Sequence, residues 1–113
     1  MKSKILALSR NEEFKDLLKK QKLSNKYVTI FFGHLDKKDN KKLNISFSVK
    51  KKIGNAVKRN KIKRRLRNIM NEAVTEISIN FNFSFLVIGK STMLNSEFKN
   101  IKETLFQDFK KIK

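Results

Sequence analysis

The sequence predicts an α+β fold: a small single-domain α/β sandwich with helices packed on a mixed sheet. The expected order is helix, strand, strand, with room for a third strand, then helix, strand, helix. Three observations lead there. Segments rich in β-branched and aromatic residues are interleaved with segments of helical periodicity. The longest helical periodicity starts at Val57 and keeps Ile62, Leu66, Ile69, Ala73 and Ile77 on one side. The 113 residues contain no repeat and no linker rich in Pro, Gly or Ser, so residues 1–113 read as one domain.

Taken in order, Ser9 followed by Glu12 has the form of a capping box, and a short helix follows over residues 10–20. Phe14, Leu17 and Leu18 share one side of it. Residues 26–34 hold Tyr27, Val28, Thr29, Ile30, Phe31 and Phe32, which predicts a strand apolar on both faces. Residues 35–42 are charged and turn-prone. Residues 43–49 alternate, with Leu43, Ile45, Phe47 and Val49 inward and Asn44, Ser46 and Ser48 outward. With residues 26–34 they are expected to form a hairpin. Gly54 is read as a tight turn and Asn55 as the cap of the long helix, which is expected to reach Asn80. Residues 83–89 (FSFLVIG) predict another strand. A last helix from about Asn95 carries Phe98, Ile101, Leu105, Phe109 and Ile112 at helical spacing.

Charge narrows the function. Lys and Arg number 28 against 10 acids, a net +18, with a pI near 10.4. Residues 50–67 alone hold ten Lys or Arg and no acid. On the long helix, Asn60, Arg64, Arg67 and Asn71 lie opposite the apolar stripe, flanked by Lys61, Lys63 and Asn68. Guanidinium forks and amides without a neutralising carboxylate suit a polyanion with planar oxygens, and nucleic acid fits best. No apolar run approaches the ~20 residues of a membrane span, and residues 5–8 are too short for a signal-peptide core, so the chain reads as cytoplasmic with no membrane partner.

Protein catalysis is poorly supported. There is no Cys, His34 stands alone, and most of the acids sit at helix starts or in the 35–42 loop. Glu72 and Glu76 are spaced to share a metal, but a solvated helix face explains them better. GNAVKRN lacks the second Gly and the Lys-Ser/Thr of a phosphate loop. For Phe14, Tyr27 and Phe31, a core position and a surface that stacks single-stranded bases both remain open.

The string VKKKIGNAVKRNKIKRRLR, residues 49–67, closely resembles the protein subunit of bacterial ribonuclease P, whose pattern is SKK-hydrophobic-GNAV-x-RNR-x-KR-x-x-R. NEEF at residues 11–14 is similar to that family's first-helix signature, and residues 80–113 match in pattern only. Lys61 replaces the third residue of the RNR motif, which keeps charge but loses the fork. Lys50 stands where Ser is expected, and Leu18 where a second aromatic is common.

The resemblance implies a protein that binds the catalytic RNA subunit of ribonuclease P and promotes removal of the 5′ leader from precursor tRNA. The active site and its Mg²⁺ belong to the RNA, and the protein is monomeric apart from RNA. By position, Arg59, Asn60, Lys61, Lys63, Arg64 and Arg67 would contact the catalytic RNA, and Lys51 and Lys52 would bridge toward the leader. Phe14, Tyr27 and Phe31 would line a leader cleft between the first helix and the sheet. The resemblance also implies a left-handed crossover between two parallel strands flanking the basic helix, an exception to the usual hand. The alternatives are a structural RNA-binding protein such as a ribosomal protein, and a DNA binder with the basic helix in the major groove. Neither requires the ordered RNR-like string, and no helix-turn-helix partner precedes the helix.

Overall fold

Five strands and three helices form the domain in a computed structural model that describes residues 5–8, 11–36 and 41–112. In chain order they are β1 (Ile5–Leu6), α1 (Asn11–Leu18), β2 (Gln21–Ser24), β3 (Val28–His34), β4 (Leu43–Val49), α2 (Ala56–Glu76), β5 (Phe83–Gly89) and α3 (Phe98–Lys111). The mixed sheet has the order β1-β4-β5-β3-β2. β5 pairs parallel with β4 and antiparallel with β3. The α+β class and the mixed sheet expected from sequence are therefore present.

Alternation along the strands sends side chains to two unequal faces. Val28, Ile30 and Phe32 of β3, Ile45 of β4, and Phe85 and Val87 of β5 pack against α2 and α3 in the main core. The Phe85 and Phe109 rings lie 5.2 Å apart, joining β5 to α3. The other face carries α1 and a smaller cluster of Leu8, Leu17, Leu35 and Leu86, with Phe14, Phe31 and Ile88 half-buried around it. α2 seats close on β5: a Cβ on Gly89 would lie 2.5 Å from Ile62 Cγ2, so a hydrogen is what fits there.

Several local expectations change. The expected hairpin between residues 26–34 and 43–49 does not form, because β5 inserts between β3 and β4. β3 instead forms its hairpin with β2, across a turn in which Asn25 Oδ1 accepts from the N–H groups of Tyr27 (2.7 Å) and Val28 (2.9 Å). Asn44 and Ser46 are buried rather than solvated, since β1 and the segment after it cover this part of β4. The Leu8 N–H donates to Ser46 Oγ at 2.8 Å. Leu18 is exposed, while Leu17 alone of the α1 leucines enters a core.

The long helix stops at Glu76, short of Asn80: Ile77 is already extended, and its N–H closes the last turn on the Ala73 carbonyl. Ile77, Ile79 and Phe81 still pack on the core, so the apolar signal outlasts the helix. α3 starts at Phe98, after a short 3-10 segment, Ser91–Leu94. Gly54 is extended, with φ 161°, rather than in a turn that demands glycine. The expected Ser9 cap and residues 37–40 of the 35–42 turn lie outside the described residues.

Candidate nucleic-acid interface

α2 is held in a fixed rotation, and that fixes which basic residues face solvent. Asn55 caps it as the sequence predicts, its Oδ1 accepting from the Lys58 N–H at 3.0 Å. Ile62, Leu66, Ile69, Met70 and Ala73 are buried against the sheet and α3. Asn60, Arg64, Arg67, Asn68 and Asn71 are consequently exposed on the far side. Lys61, Lys63 and Arg59 are half-buried flanks of that stripe, and the buried Arg59 Nε has no acceptor among the described residues. Lys51 and Lys52 are exposed just ahead of α2, in a 3-10 turn, Lys51–Ile53.

Arg65 belongs to the structure and not to this stripe. Its Nη1 donates to the carbonyls of Met93 (2.8 Å) and Ser96 (3.2 Å), tying α2 to the segment that leads into α3. Glu72 is engaged by Lys102 Nζ at 2.6 Å. The Glu72 hydrogen bond is the main cause holding the Lys102 ammonium pKa above its usual value. The outward stripe between Asn60 and Asn71 thus presents donors and no carboxylate.

A groove of about 350 Å³ opens over β4 and the β1 edge of the sheet, lined by residues of α1 and α2 and by Ile5 and Ala7. β1 pairs with β4 only at Leu43 and Asn44, which leaves the rest of that strand edge uncovered by β1. Phe14 lines the groove on one side, Lys63 and Arg67 on the other, and Ser46 and Phe47 form its floor with Ile45. Lys63 and Arg67 are therefore brought to an aromatic groove as well as to the helix face.

Phe31 continues this surface across the sheet. The register places Ser46, Leu86, Phe31 and Lys22 in one cross-strand row, and Ser48, Ile88, Thr29 and Ser24 in the next. Phe14, Phe31 and Ile88 are half-buried on this face, where an eight-residue α1 leaves part of the sheet uncovered.

Tyr27, expected with them, is not there. It is 6% exposed and packed in the main core on the opposite face. Period-2 spacing would put Tyr27 and Phe31 on one side of a continuous strand, but β3 begins at Val28. The Asn25-stabilised turn redirects Tyr27. Sequence reading did not single out Phe47, Lys22 and Ile88 as lining this surface, nor Ser46 as the buried floor of its groove. Alternation did mark Ser46 as opposite to Ile45, but nothing local told which face α1 would leave partly open.

Among the described residues, no group of three or more His, Cys, Asp or Glu side chains is placed to hold a metal ion. The arrangement is suited to binding an extended polyanion: an amide and guanidinium stripe, and next to it a cation-walled groove with aromatic side chains.

Comparison with known proteins bears on the family and the fold. A family model described as Ribonuclease P matches residues 3–113. A Bacillus cereus ribonuclease P protein component is 34% identical over 104 residues, covering 92% of this chain and 88% of that protein. The fold is similar to the RNase P protein from Thermotoga maritima, with a TM-score of 0.80 at 24% identity, covering 96% of this chain and 98% of that one. It is also similar to the Staphylococcus aureus RNase P protein, with a TM-score of 0.75 at 25% identity, covering 93% and 92%.

Proposed function

The chain belongs to the ribonuclease P protein family, and from that premise we propose that it is the protein subunit of a ribonucleoprotein endonuclease that removes the 5′ leader of precursor tRNA. The catalytic RNA subunit carries the active site and supplies the Mg²⁺ chemistry there. The protein contributes affinity and positioning. Asn60 and Arg64, with Arg59 and Lys61 beside them, bind the catalytic RNA, as guanidinium and amide groups bind phosphate and ribose oxygens.

The groove takes the single-stranded leader. Lys63 and Arg67 neutralise its phosphates, while Phe14 and Phe31 offer faces for unstacked bases. Lys51 and Lys52 lie ahead of α2 and bridge the two RNAs. The observation that carries this reading is the meeting of the basic helix face and the aromatic groove at Lys63 and Arg67. A generic rRNA binder needs no such groove beside its basic face.

Reconstitution tests it. The purified protein alone should leave RNA intact. Added to a bacterial ribonuclease P RNA with Mg²⁺ at low salt, it should raise cleavage of precursor tRNA at the 5′ end of the mature sequence. Cleavage by nuclease-free protein without the RNA subunit, or no stimulation, refutes the proposal.

A further inference from the structure

We propose that Val57 is an apolar contact within the basic face of α2, seated against the exposed face of an unpaired base in the catalytic RNA. The proposal deepens the RNA-binding reading above and rests on it. Among the exposed large apolar residues, Val57 is the most open, at 77%, against 48% for Leu18 and 40% for Leu6. It packs in neither hydrophobic cluster. Asn60 and Lys61 follow it at i+3 and i+4, and Arg64 at i+7, so it stands at the head of the basic stripe. The first turn of α2 contains no acid.

An isolated exposed apolar residue is ordinary on a protein surface. What sets Val57 apart is where it stands and how firmly it is held. The Asn55 cap fixes the first turn, and a β-branched side chain in a helix has essentially one rotamer, so little entropy is lost when it is covered. Surrounding cations draw a polyanion onto this surface, and they disfavour an apolar protein groove, which would have to desolvate them.

Within RNA, phosphates gain nothing from a valine. Paired bases hide their faces in the stack, and the deep major groove of an A-form helix keeps side chains out. Unpaired, unstacked nucleotides are where RNA offers an apolar surface. Val57 therefore marks where α2 meets a loop, bulge or junction, and the charged residues beyond it follow the backbone.

The test measures affinity for ribonuclease P RNA against salt concentration for the wild type, Val57→Thr, Val57→Lys and Arg64→Ala. Thr keeps the shape and a similar helix propensity. Val57→Thr should leave the melting temperature unchanged and weaken binding roughly three- to tenfold, the scale of one buried methyl exchanged for a hydroxyl. Its salt slope should equal that of the wild type, whereas Arg64→Ala should flatten the slope by ~0.7–0.9. Val57→Lys should also bind more weakly than the wild type despite its added charge. Wild-type affinity for Val57→Thr, tighter and more salt-dependent binding by Val57→Lys, or a lowered melting temperature for Val57→Thr each overturns the contact. Absence of binding by the wild type removes the RNA-binding reading itself, and the contact with it.

Discussion

The two faces of the sheet differ in how completely helices cover them. α2 and α3, with 21 and 14 residues, close one face over a core that includes Ile30, Ile45, Phe85 and Val87. α1, with eight residues, reaches only part of the other, where the buried cluster is reduced to Leu8, Leu17, Leu35 and Leu86. The closed face supplies most of the apolar burial that holds the domain together. The partly open face keeps aromatic surface available, with Phe14 and Phe31 half-covered and a groove at its edge. Core packing and the proposed RNA contacts thus fall on different side chains, even on α2, whose inward stripe is buried and whose outward stripe is exposed.

The largest effect should come from the closed face. Leu66 is fully buried on the inward side of α2, so Leu66→Ala should cost ~2–5 kcal/mol of unfolding free energy, read from denaturant melts. If Arg64→Ala, on the outward stripe, lowered stability as much, the division between stripes would fail. Next is Gly89→Ala. Its new methyl group meets Ile62 Cγ2 on a helix that cannot move without disturbing the core, and a loss of ~1–3 kcal/mol is expected from the same melts. A neutral Gly89→Ala would show that α2 does not press on β5 as described.

On the partly open face the effect should shift from stability to substrate preference. Phe14→Ala or Phe31→Ala should lower the ratio of precursor to mature tRNA affinity in the reconstituted enzyme by ~1–3 kcal/mol, the scale of one stacked base. Affinity for the catalytic RNA should stay near wild type. The smallest change in that ratio should come from Tyr27→Ala, which is expected to lower the melting temperature instead, because Tyr27 lies in the closed core. A ratio insensitive to Phe14, Phe31 and leader length would remove the groove from leader binding.

Much of this was legible from residue order. Periodicity is a local property, so the buried stripe of α2, the outward Asn60, Arg64 and Arg67, the Asn55 cap and the apolar face of α3 could all be read from spacing alone. The ordered RNR-like string, carried on a helix, identified the family by resemblance. Strand pairing is not local. Residues 26–34 and 43–49 are successive strands, yet β5, arriving some 35 residues later, separates them, because its β-branched and aromatic residues fill both faces at the sheet centre.

The same limit applies to individual site residues. The resemblance put Tyr27 with Phe14 and Phe31, and a turn set by Asn25 put it on the other side. Spacing solvated Asn44 and Ser46, and the chain before α1 buried them. The sequence by itself determined which residues α2 and α3 turn outward, since a helix's hydrogen bonds lie within its own segment. The tertiary structure alone decided which sheet face stays partly open and that Lys63 and Arg67 meet Phe14 there. Those outcomes depend on how much sheet an eight-residue helix can cover and on where a distant strand inserts.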